Sequence, residues 1–162
     1  MNNINIRPAV EKDSSLIISF IRELAEYEKL LDEMVATESL IEENLFGSGP
    51  VAYSLIAELD GKPVGFALYF FNFSTFLGRP GIYLEDLYVK PEHRALGIGK
   101  KLLAKLAKIA VEKNCGRVEW SVLDWNEPAI KFYQSVGAIP MDEWTVQRLT
   151  GDALIKFAEE ND

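Results

Sequence analysis

The chain has 162 residues, is 48% hydrophobic and carries a formal net charge of −8. That length suits a single domain, 1–162, with a real core, the hydrophobic share excludes disorder, and the acidity argues against nucleic acid and mildly favours a cationic partner. One cysteine and one histidine make neither an internal disulfide nor a metal site, and with no bilayer-length apolar stretch and no signal-peptide layout at Met1-Asn2-Asn3-Ile4, no membrane contact and a cytoplasmic location are expected.

Ile4 and Ile6 alternate with polar residues and predict a first strand ending at Pro8. Across residues 13–28, Leu16, Ile17, Phe20, Ile21 and Leu24 follow the spacing of one helical face. Thr37 suits the N-cap of a second helix running through Phe46 and closing at Gly47. Residues 53–59 and 64–73 read as strands joined through Asp60-Gly61, a strong hairpin signal. Residues 82–89 read as a central strand and residues 100–113 as a helix with an apolar face of Leu102, Leu103, Leu106, Ile109 and Ala110. Further along, residues 117–123 suggest a strand, and Asn126 is expected to cap a short helix with Pro128 in its first turn. Residues 146–149 suggest a last strand and residues 152–160 a terminal helix. The expected fold class is an α/β domain with a mixed sheet.

Three features carry chemistry. The run Arg94-Ala95-Leu96-Gly97-Ile98-Gly99 lies where the central strand gives way to a helix. Glycines there let backbone N–H groups crowd around an anion at the positive end of the helix dipole, with Arg94 as a nearby cation. The run lacks the Lys-Ser/Thr pair of a Walker loop and lies far from the first strand, where a dinucleotide fingerprint belongs. Second, Glu85 and Asp86 are adjacent inside the strand, so at least one of them faces inward. An unpaired inward carboxylate is costly. It either pairs with a cation or a backbone group, or receives a proton from an amine. Third, the helix opened by Asn126 carries Phe132 and Tyr133, about 100° apart around its axis, so one can pack while the other projects.

The order of central strand, glycine cradle, helix, strand and Asn-opened helix bearing Tyr resembles the GNAT superfamily of acyl-CoA-dependent N-acetyltransferases. Their phosphate loop, Arg/Gln-x-x-Gly-x-Gly/Ala, is matched by Arg94 to Gly99. Tyr83-Leu84-Glu85-Asp86-Leu87-Tyr88-Val89, Asp124-Trp125-Asn126-Glu127-Pro128 and Phe132-Tyr133 look like the diamine branch, which holds spermidine/spermine and thialysine acetyltransferases. Ile6-Arg7-Pro8-Ala9, Glu23-Leu24-Ala25-Glu26-Tyr27-Glu28 and Leu149-Thr150-Gly151-Asp152-Ala153-Leu154 extend the likeness over nearly the whole chain.

The resemblance implies a GNAT-like, mostly antiparallel sheet flanked by helices, acetyl-CoA as co-substrate, no metal, a small amine as acceptor in a ternary complex, and a homodimer. By position, the backbone of Leu87, Tyr88 and Val89 would pair with the pantetheine arm, while Arg94, Ala95, Leu96, Gly97, Ile98, Gly99 and Lys100 would form the pyrophosphate loop. Asn126, Glu127, Pro128 and Ala129 would touch the cofactor on its other side. Tyr133 would protonate the departing sulfur and Glu85 would face the amine. Tyr27, Glu28, Glu119, Trp120 and Ser121 would line the substrate channel. Ser74 and Phe76 stand where polyamine enzymes of the branch often carry an acid and a tryptophan. A peptide acetyltransferase and a non-catalytic CoA-binding module are the alternatives.

Overall fold

Asp60 and Gly61 adopt φ of 50° and 82°, the two-residue turn whose twist matches a hairpin. It joins β2 (Tyr53–Leu59) to β3 (Lys62–Ser74), as the sequence predicts. The structure is a computed structural model that describes residues 2–161. With β1 (Ile4–Pro8), β4 (Arg79–Val89) and β5 (Val118–Glu119), the strands form one sheet in the order β1-β2-β3-β4-β5. Every neighbouring pair is antiparallel except β4 and β5. The described residues divide between Leu123 and Asp124 into two compact units. The sheet belongs to the first.

Alternation along the strands places Ile56, Phe66, Leu68 and Tyr88 on one face. Against them pack Ile17, Phe20 and Leu24 of α1 (Ser14–Tyr27) and Ile41 and Leu45 of α2 (Glu38–Phe46). The rings of Phe20 and Phe66 stack at 5.4 Å. The other face, with Leu55, Ala67, Ile82 and Leu84 buried, receives α3 (Ile98–Glu112) through Leu102, Leu103 and Leu106. Thr37 caps α2 as expected, its hydroxyl accepting from the Leu40 N–H at 3.2 Å. Arg7 on β1 donates to Asp13 at 2.8 Å and to Glu58 at 3.1 Å, tying the start of α1 to two strands. That hydrogen bond, aided by one from the Val10 N–H, holds the Asp13 carboxyl below its usual range.

In the second unit, α4 (Glu127–Ser135) and α5 (Gly151–Ala158) are the helices. Asn126 takes the N-cap position of α4, yet its side chain makes no capping bond to the first turn. Two further expectations need correction. The strand expected over residues 117–123 is only Val118–Glu119, because β5 loses contact with β4 after two paired residues. No strand forms at residues 146–149, where no pairing partner is found among the described residues and Val146 and Leu149 are exposed. A strand without a neighbour leaves its backbone groups to water.

Three helices end in one way. Lys29, Asn114 and Gly137 take left-handed φ values of 61°, 57° and 92°. At each, paired bonds close the last turn, as in Leu30 N–H to Ala25 O at 2.8 Å and Lys29 N–H to Glu26 O at 3.1 Å. Asn tolerates this conformation and Gly favours it, whereas Lys29 is strained. Lys29→Gly is therefore expected to stabilise the protein by about 0.5–1 kcal/mol, the released strain exceeding the added chain entropy, which a urea midpoint at unchanged slope would show.

Candidate active site

Pairing between β4 and β5 consists of Ile82 with Val118 and Tyr83 with Glu119, after which β4 continues to Val89 paired with β3 only. The Tyr83 and Ser121 hydroxyls, 2.8 Å apart, mark the fork. From Leu84 to Val89 the edge facing β5 has no strand partner, so an extended ligand carrying amide groups can pair there.

This edge leads into the glycine run. A 3-10 turn (Pro91–His93) reverses the chain, and Ala95 and Gly97 are left-handed at φ 67° and 80°. Such reversals turn successive N–H groups toward one point. α3 starts at Ile98, and the first N–H groups of a helix lack intrahelical acceptors. A Cβ on Gly97 would meet nothing within 4 Å, and one on Gly99 only the Val89 side chain at 3.9 Å, so the concavity is open. With the helix dipole and the exposed Lys100 beside it, this cradle fits a pyrophosphate. The Arg94 side chain is engaged behind it. Its Nε donates to the Val89 carbonyl at 2.9 Å, and its guanidinium lies 4.9 Å from the Tyr27 ring centre and 5.6 Å from that of Tyr88.

The carboxylate pair is separated by a bulge. Leu68 faces Asp86 and Tyr69 faces Leu84, which leaves Glu85 as the extra residue. The bulge puts Asp86 on the face of Leu68 and Tyr88, toward α1, and leaves Glu85 exposed. Asp86 and Glu28 both line a cavity of about 330 Å³ walled by Ile21 and Leu24 of α1 and by the loop carrying Met34. Burial, reinforced by the charges of Glu85 and Glu28, pushes the Asp86 carboxyl up to about 7. Burial also raises Glu28. Such a carboxyl changes charge close to neutral pH and can take a proton from a bound cation.

Of the other residues expected in the substrate channel, Tyr27 ends α1 next to Glu28. Glu119, Trp120 and Ser121 lie at or beyond β5 and are not among the residues lining the cavity, and the Glu119 carboxylate pairs with Arg117 at 3.0 Å. In the second unit Asn126, Glu127, Pro128 and Ala129 form the start of α4, and Tyr133 lies on the same helix with its ring 5.4 Å from that of Phe132. The resemblance sets Glu85 facing the amine, whereas the residue on the cavity wall is its neighbour Asp86; the bulge that decides this has no residue signature here. Sequence reasoning missed Glu33, another carboxylate on the cavity wall.

The description of the acetyltransferase (GNAT) family matches residues 18–138, most of the sheet, the cradle and α4. The chain belongs to the GNAT acetyltransferase family. It is 42% identical to a thialysine N-epsilon-acetyltransferase of Sus scrofa, over 98% of this chain and 99% of that one. It is 34% identical to an L-ornithine N5-acetyltransferase of Arabidopsis thaliana, over 92% of this chain and 85% of that one. Among solved structures, an integron cassette protein from the mobile metagenome of V. cholerae superposes with a TM-score of 0.80 at 30% identity, covering 96% of this chain and 98% of that one. The mixed sheet flanked by helices is thus the acetyltransferase fold the resemblance implies. Among the described residues no helix is long and apolar enough to cross a membrane.

Gly99 tests the cradle cleanly, because its backbone is ordinary and its neighbourhood open. Gly99→Val is expected to fold, by circular dichroism, and to lose at least about tenfold in affinity for CoA by calorimetry, the branched side chain occupying the space of the phosphates.

Proposed function

We propose that residues 1–162 act as one acetyltransferase domain, a cytoplasmic homodimer that moves an acetyl group from acetyl-CoA to the primary amine of a small substrate of the thialysine or diamine kind. The observation that carries this reading is Asp86, a half-buried carboxyl raised toward neutrality on a cavity wall, on the strand whose open edge leads to the anion cradle. The near full-length likeness to thialysine acetyltransferases supports the substrate class. So does the use of Ser74, whose hydroxyl accepts from the Leu77 N–H at 3.2 Å within a local turn, where a polyamine enzyme would carry a free acid.

Acetyl-CoA, when bound, supplies an activated acyl thioester. In this reading the N–H groups of residues 97–100 hold its pyrophosphate, the open edge at Leu87, Tyr88 and Val89 orients its arm, and an N–H near Leu87 faces the thioester oxygen. By the resemblance, Asn126, Glu127, Pro128 and Ala129 would touch the cofactor. An alkylamine with a pKa of about 10.4 is almost wholly protonated at neutral pH and cannot attack. Asp86 accepts its proton while the apolar walls favour the neutral amine. Glu28 attracts the substrate's cationic end with Tyr27 beside it at the end of α1, and Glu119, Trp120 and Ser121 border the channel on the β5 side. Tyr133 protonates the sulfur as the thiolate leaves, and attack by the amine is direct within the ternary complex. Glu85, which the resemblance sets facing the amine, is exposed at the bulge, so this reading gives the proton to its neighbour.

Steady-state assays of CoA release decide among these roles. On thialysine, lysine, ornithine, polyamines and peptides, the small diamino compounds are expected to be preferred. As a raised carboxyl must ionise to accept a proton, kcat/KM should climb as pH rises through about 7. Asp86→Asn should abolish that limb and cut the rate by about 10²- to 10⁴-fold, with partial recovery toward the amine's own pKa. Glu85→Gln should retain the limb, and the reverse pattern would assign the proton to Glu85. Tyr133→Phe should fall by a similar factor in kcat rather than in KM.

The exposed apolar residues Phe73, Phe76, Trp144 and Val146 support the homodimer, since a monomer seldom leaves such surface to water. Light scattering at micromolar concentration should return twice the chain mass, and a monomer there would remove this part of the reading.

A further inference from the structure

The cavity wall formed by residues 28–36 hangs from the end of α1. Its apolar Leu30, Leu31 and Val35 are exposed, and its regular structure is limited to a single 3-10 turn (Leu31–Glu33). Met34 and Ala36 pack its far end against the core, and its near end is set by the turn at Lys29, whose N–H and that of Leu30 bond back to Glu26 and Ala25. Lys29 is strained in that turn, so the turn needs support from outside. Arg94 supplies that support. Tyr27, the last residue of α1 and two before Lys29, lies under the Arg94 guanidinium at 4.9 Å, and the same guanidinium covers the Tyr88 ring at 5.6 Å while its Nε donates to the Val89 carbonyl at 2.9 Å. One turn earlier, Glu23 pairs with Lys90 at 3.3 Å, so two contacts join the same stretch of α1 to the end of β4.

We propose that Arg94 is a positioning residue for the cavity: clamped between Tyr27 and Tyr88, it fixes the end of α1 from which Glu28 and the 28–36 loop form the wall. Its backbone belongs to the cradle and its side chain to the opposite task. A planar guanidinium is required, because lysine can supply the charge but cannot lie flat on a ring while donating sideways to a carbonyl. The consequence for amine use rests on the reading of the cavity as the amine site; the clamp itself does not.

The test uses Arg94→Lys, Tyr27→Leu, Tyr27→Phe and the Arg94→Lys/Tyr27→Leu double variant in the full chain. Hydrogen exchange at the Lys29 and Leu30 amides reads the clamp without any substrate. Arg94→Lys and Tyr27→Leu should each speed it by about fivefold or more, the double variant little further, and Tyr27→Phe, which keeps the ring, should match the wild type. At saturating acetyl-CoA, Arg94→Lys should raise the KM for the best amine about fivefold with kcat nearly retained. Exchange unchanged in Arg94→Lys and Tyr27→Leu, or strictly multiplicative effects in the double variant, would overturn the clamp. A loss in Arg94→Lys confined to acetyl-CoA affinity would show that the side chain serves the cofactor instead. If the wild type acetylates no amine while exchange responds as expected, the clamp stands and the functional reading falls.

Discussion

The site depends on one interruption of hydrogen bonding. β4 is paired along its length by β3, but β5 accompanies it for two residues only. In a sheet interior an unpaired run of backbone groups is costly, so a strand edge left open in a fold otherwise well paired demands an occupant or water. The parting of the strands also sets where the next element begins. Because β4 runs on to Val89, the chain turns at the 3-10 segment and starts α3 with its amino end beside the open edge. An edge that offers amide groups and a helix start that offers a positive potential are thus consecutive in the chain, and the strand's pairing fixes their spacing.

The bulge at Glu85 is a second consequence of how β4 is paired. Without an extra residue, side-chain alternation would keep one parity along the strand. With it, Asp86 joins the face of Leu68 and Tyr88. The carboxyl is thereby carried under α1, among apolar groups, and two neighbouring acids add to the cost of its charge. A sequence selected only for stability would place an apolar residue there. Local rules broken without structural compensation mark functional positions more reliably than rules obeyed.

Much of the architecture was legible in the chain because it rests on local signals. Asp60-Gly61 fixed one hairpin, Thr37 one helix start, and the spacing from Leu16 to Leu24 the buried stripe of α1. The cradle was legible for the same reason, as left-handed backbone and a helix start are written in glycine. What could not be read is what depends on partners distant in sequence. Residues 117–123 have the composition of a strand, but how far they pair is decided by β4. The inward choice between Glu85 and Asp86 turns on register against β3. The occupation of the Arg94 side chain by Tyr27, 67 positions away, leaves no mark in the glycine motif that contains it.

The raised Asp86 carboxyl also ties the strength of the fold to acidity. Its proton is bound more tightly in the folded chain, with a value of about 7, than in the unfolded one, near 3.8. The penalty it imposes is therefore full above 7, shrinks as pH falls from there, and is gone below the unfolded value. Asp13, held low by Arg7, contributes in the opposite sense: its stabilisation is complete above its unfolded value of 3.8 and is lost only in stronger acid. Between about 4 and 7 the two overlap favourably. These two carboxyls together favour the fold most in mildly acidic solution, on the other side of neutrality from where an ionised Asp86 would be of use to it.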